Sequence, residues 1–153
     1  MKILFHPKSH DGKEIHSDAE RERAIAQVAF FRAALDKLRG KKHKRSNAKV
    51  VAKCETMLLE REAQIRDYDD LKNGNLKLPK LKRVDDIVAF ITRIRIARGV
   101  SQAELARRLN VSKQVISRYE ESGYQTVGLA RLQQILDALE ARIEIDFASS
   151  SST

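Results

Sequence analysis

The stretch that most constrains this chain is Ser101 to Glu120, SQAELARRLNVSKQVISRYE. Ser101 is a good helix cap, and Glu104 three residues on completes a Ser-x-x-Glu capping box. Val100 before the cap can pack on Leu105 as a hydrophobic staple. Leu105, Ala106 and Leu109 form one apolar face at helical spacing. Asn110 then offers the residue type that best tolerates a left-handed turn after Gly. Val111 and Ser112 repeat the staple and cap, with Ile116 as the staple's partner. Val115, Ile116 and Tyr119 give a second short helix its buried face. Ala106 is small, as two helices meeting steeply across a short turn require. The local chemistry therefore predicts two short helices joined by a tight turn.

Gln102, Leu105, Ala106, Leu109, Val111, Ile116 and Tyr119 stand where lambdoid phage repressors and the wider XRE-type regulators carry their helix-turn-helix motif, and the stretch resembles that family. It departs at Asn110, where the family most often has Gly. The resemblance spans about Ile87 to Leu139. It implies a helical DNA-binding domain whose second motif helix enters the major groove by its N-terminal residues. Carried over by position, Lys113 and Gln114 face base edges, with Ser117 and Arg118 one turn on. Gln102 and Ser112 are the implied phosphate contacts. Lys and Arg match guanine acceptors and Gln matches adenine. One recognition helix reads few bases, so the resemblance also implies a homodimer on double-stranded DNA with a two-fold symmetric operator. The alternative is a protein-interaction scaffold whose helical domain does not bind DNA.

The 153 residues suit one ordinary domain or two small ones. With 42% hydrophobic and 33% charged residues, the chain can build a core. A formal net charge of +9 favours a polyanionic partner. No apolar run approaches the roughly 20 residues of a membrane span, and MKILFHPKSHDG lacks the apolar centre of a signal peptide. The single Cys54 excludes an intramolecular disulfide framework and fits a reducing compartment. A cytoplasmic protein is expected, with no membrane partner. His6, His10, Asp11 and His16 match no zinc spacing, so no metal and no cofactor are expected. No nucleophile–base pair or phosphate loop appears, and an enzyme is not expected.

The remaining segments read as a mainly α chain in two parts. Ser17 to Glu20 is a second capping box, opening a helix with Val28, Phe31, Leu35 and Leu38 inward and a stop at Gly40. Lys41, Lys42, Lys44 and Arg45 make a basic loop, a set of candidate phosphate contacts. A second helix, capped by Ser46 or Asn47, carries Val51, Cys54, Leu58, Ile65 and Tyr68, with Arg61 interrupting the seam. The pair predicts an antiparallel, coiled-coil-like hairpin over residues 17–73. Cys54 reads as packing. Asn73 to Lys80 reads as the linker. Residues 81–147 form the predicted XRE-type domain, with a first helix over Val84 to Arg98 presenting Ile87, Ile91 and Ile94. A last helix carries Leu129, Leu132, Ile135, Leu136 and Leu139. Arg142 to Phe147 alternate polar and apolar, which predicts a short C-terminal β-strand whose partner is Lys2 to Phe5 of the same chain or the same strand of a second copy, the latter giving a dimer-forming sheet. Ser149 to Thr153 is expected to be a disordered tail. An extra helical module on an XRE-type domain also resembles, in layout alone, antitoxins of the host-inhibition-of-growth type, which would imply a cognate toxin as a further partner.

Charge is uneven. Residues 81–153 hold eleven Lys or Arg against nine Asp or Glu, and the rest of the +9 lies in residues 1–80.

Overall fold

The computed structural model describes residues 14–39, 48–78 and 83–144. The chain divides into two compact units, Met1–Asn73 and Gly74–Thr153. No described helix is long and apolar enough to cross a membrane.

The first unit is a pair of helices, α1 (Asp18–Arg39) and α2 (Ala48–Lys72). Ser17 Oγ accepts from the Glu20 amide at 3.3 Å, as a cap should. The Glu20 carboxylate, however, takes the His16 amide at 2.8 Å, one residue before the position a capping box uses. Ala24, Val28 and Leu35 are the buried face of α1, and Tyr68 and Leu71 are the buried residues of α2. Val51, Cys54, Leu58 and Ile65 are half-buried, as is Arg61, which donates to Gln64 within its own helix. Antiparallel pairing is fixed by a ladder of ion pairs. Arg21 grips Asp69 at 2.6 and 2.9 Å, Arg32 meets Glu62, and Arg39 meets Glu55. At the far end Tyr68 donates its hydroxyl to Asp18 at 2.9 Å. The bond from Arg21 holds the Asp69 carboxyl below its ordinary range, and the bond from Tyr68 does the same for Asp18. The basic loop Lys41, Lys42, Lys44 and Arg45, the caps Ser46 and Asn47, and His6, His10 and Asp11 lie outside the described residues.

Among the described residues the regular elements of the second unit are all helices: α3 (Val84–Val88), α4 (Ile91–Ala97), α5 (Gln102–Arg108), α6 (Lys113–Glu121) and α7 (Leu129–Ala138). Its core is one cluster of Ile91, Val100, Leu105, Ala106, Ile116, Tyr124, Ile135, Leu136 and Leu139. The staple residues Val100 and Leu105 both lie in it, and Ile116 is fully buried.

The expected single helix over 84–98 is two helices. At Ala89–Phe90 the ladder tightens, and the Phe90 amide reaches only three residues back, to the Ile87 carbonyl at 3.0 Å. On α4, Ile91, Thr92, Arg95 and Ile96 go inward, while Ile87 and Ile94 are half-buried.

The helices of this unit stop by a repeated device. After α5 the Val111 amide reaches the Ala106 carbonyl at 3.0 Å and the Asn110 amide reaches Arg107 at 3.2 Å, with Asn110 at φ +53°. That is the Schellman arrangement, with Asn in the left-handed position where Gly is commonest. The same pair of bonds closes α4 at Gly99, α6 at Gly123 and α7 at Glu140, whose φ is +54°. Replacing Asn110 with Gly should keep or raise the melting temperature. Asn110→Val should lose about 1 kcal/mol or more, because a β-branched residue resists this region. Thermal melts of both variants check it, and an undiminished Val variant would mean that the turn is built differently.

Among the described residues the predicted C-terminal strand is not present. Ala141 to Glu144 belong to no strand, and Ile145 to Phe147, like Lys2 to Phe5, lie outside the described residues. The alternation of polar and apolar residues was a real pattern, but a strand needs a ladder partner. Among the described residues there is no other strand to supply one.

Candidate nucleic-acid interface

The core of the second unit contains a polar network that orients its helices. Arg95 on α4 and Glu120 on α6 are 3% and 0% exposed and form a two-pronged ion pair, Nε to Oε1 at 2.5 Å and Nη2 to Oε2 at 2.9 Å. Arg95 Nη1 also donates to the Val100 carbonyl at 2.7 Å. Gln102, the first residue of α5, is buried and donates Nε2 to Glu120 Oε2 at 2.7 Å. Three helices thus meet on one carboxylate. The fully buried Tyr124 ring lies 6.0 Å from that of Tyr119. Its hydroxyl, beside Glu120, makes no hydrogen bond of good geometry. Burial, then the nearby Glu120 charge, push the phenol well above its ordinary pKa.

This network escaped the sequence reading because its partners lie 25 residues apart. A signal was nevertheless present. Arg95 follows Ile91 by four residues and Glu120 follows Ile116 by four, and both isoleucines are fully buried. Helical phase alone puts the two charges on core faces.

Around this framework stand the residues singled out by position. Lys113, Gln114 and Arg118 are exposed on α6. Ser117 is half-buried, and its hydroxyl lies 3.4 Å from Glu121 Oε1. Ser112 occupies the N-cap position of α6 with an extended backbone, but its side chain makes no capping bond. Its exposed hydroxyl is therefore open to an outside acceptor, and so are the first amides of α6. Gln102 differs from the others. It is buried, and one hydrogen of its amide nitrogen is held by Glu120. Ser101 caps α5 by accepting from the Glu104 amide at 3.1 Å. The Glu104 carboxylate does not return to close the box. It instead holds Arg107 at 2.7 and 2.9 Å and Arg108 at 2.9 Å, and the bonds from these two arginines lower its pKa to about 2. Two of the cations nearest the motif are thus already neutralised in part.

The short helix pair, its left-handed Asn turn and its exposed second helix agree with one comparison. Residues 91–145 match the family model described as Helix-turn-helix. This segment is an XRE-family helix-turn-helix domain. No curated protein and no solved structure matches the chain significantly. The XRE-type domain belongs to a family of DNA-binding regulators and not to an enzyme family. It points to a DNA-binding transcriptional regulator. Within it, α5 is the first motif helix and α6 the second, and α5 packs against both α6 and α7.

Proposed function

We propose that the protein is a sequence-specific, dimeric repressor that reads a two-fold symmetric operator through α6. The observation that carries this reading is the contrast within the motif. The inner face of α6 is locked by Ile116 and Glu120, while Lys113, Gln114 and Arg118 stand free on its outer face. A helix so anchored presents its polar side chains at a fixed angle, as base readout requires. Lys113 and Gln114 are assigned to base edges, and Ser117 and Arg118 to bases or backbone one turn later. Ser112 and Gln102 are assigned to phosphates. The basic loop Lys41, Lys42, Lys44 and Arg45 supplies additional phosphate contacts, because the XRE-type domain is almost charge-balanced. The same layout would serve an antitoxin that represses its own operon. Against a protein-only scaffold stands the exposed outer face of α6, which is polar and cationic where a protein interface would be apolar at its centre.

The test is selection of bound sequences from random duplex DNA. Enrichment of an inverted repeat with half-sites about one helical turn apart is expected. Binding with no sequence enrichment would leave only non-specific attachment and would overturn the reading.

A further inference from the structure

The helical hairpin has two unlike sides. At 3.6 residues per turn, Phe30 points about 160° away from Arg32, and Met57 about 160° away from Glu55. The ion-pair ladder of Arg21, Arg32 and Arg39 therefore occupies one side of the hairpin. The opposite side carries Phe30, 70% exposed, with Val50 and Met57 at 50% and 39%. By helical phase half-buried Phe31 and Ala34 lie between Phe30 and the seam. The two exposed apolar residues nearest the ladder, Ile25 and Leu59, stand apart from this face.

We propose that this open face of α1 and α2 receives the same face of a second copy, so that two hairpins close into a four-helix bundle. Shape is the first argument. The four helical neighbours of Phe30, at three and four residues either side, are Ala26, Gln27, Ala33 and Ala34. A bulky knob with alanines at three of its four neighbouring positions is complementary to itself, since each copy's ring can be received over the other's alanines. An aromatic side chain buried this way removes about 150–250 Å² from water. Charge is the second. α1 holds five Lys or Arg against four Asp or Glu, and α2 five against six, so the helices together carry no net charge. A chain of +9 would otherwise resist pairing with itself, but its excess lies outside these two helices on the hairpin side. The ion pairs that hold each hairpin together sit on the far side and need not be desolvated. The inference rests on the dimeric-regulator reading only for the need for a second copy, and it moves the dimer contact from the C-terminal segment to the hairpin.

Sedimentation of the full chain without DNA tests it. The parent chain should be a dimer at micromolar concentration. Phe30→Asp should raise the dissociation constant at least a hundredfold and sediment as a monomer with unchanged helical circular dichroism. Leu59→Asp, a comparable change at a 64% exposed site on the ladder side, should remain dimeric. A monomeric parent would overturn the proposal and leave the face to another protein. So would a Phe30→Asp chain that stays dimeric, or equal disruption by both substitutions. Because no DNA is present, a parent dimer that Phe30→Asp breaks upholds the interface even if operator selection fails.

Discussion

Glu120→Ala should destabilise the XRE-type domain by about 3–5 kcal/mol, the largest effect expected of any single substitution here. The reason is the charge left behind. Arg95 is 3% exposed and has its guanidinium aimed at the Glu120 oxygens, so removal of the acid strips a buried cation of its neutralising carboxylate. Gln102 loses its acceptor in the same step. Against a typical domain stability of about 5–15 kcal/mol, such a loss brings the domain close to unfolding at ambient temperature. Glu120→Gln should cost less, because it keeps an oxygen for Arg95 while removing the charge. Arg95→Met combined with Glu120→Leu should recover much of the loss, since an apolar replacement strands no charge. Calorimetric melts of the three variants form the test. A Glu120→Ala melt within about 0.5 kcal/mol of the parent, the range of ordinary surface changes, would contradict the burial of this pair.

Gln114→Ala should weaken binding at the selected operator by about 1–3 kcal/mol, roughly five- to 150-fold, while leaving binding to random DNA nearly unchanged. Gln114 is exposed on the first turn of α6, so the substitution should leave the fold intact. Lys113→Ala should cost a similar amount on the operator and also reduce binding to random DNA, because its charge contributes wherever phosphates are near. Competition titrations at fixed salt separate the two. Equal losses on operator and random DNA for Gln114→Ala would remove it from base readout.

What could be read from the sequence was what local chemistry decides. The cap at Ser101, the left-handed Asn110 and the spacing of Leu105, Ala106 and Ile116 each act within a few residues, and all three appear in the fold. The hairpin helices were legible for the same reason, from the Ser17 cap and the spacing of Val28 and Leu35. The errors occurred where a distant partner decides. The break at Ala89–Phe90 has no Gly or Pro to announce it, and the partner of Arg95 lies 25 residues on, in α6. The alternation from Arg142 onward describes how a strand would present its faces but says nothing of a neighbour to pair with. Glu104 shows a subtler case. Its position fits a capping box, but two arginines one turn later compete for the same oxygens and prevail. Among the site residues, exposure at Lys113, Gln114 and Arg118 follows from helical phase, whereas the inward bond of Gln102 could not be seen without Glu120 in place.

The carboxylate shared by Arg95 and Gln102 has a consequence for how such a protein can change. Everything that fixes the orientation of α6 lies beneath it, in Ile116, Glu120 and their partners. None of the side chains on its outer face takes part in that support. Positions 113, 114 and 118 can therefore be exchanged as a set without disturbing the scaffold that aims them. If α6 reads DNA as proposed, a descendant could acquire a new target sequence by a few surface replacements, each nearly neutral for folding. Gln102 belongs to that buried support through its bond to Glu120, and lineages that drift at the outer face should retain it.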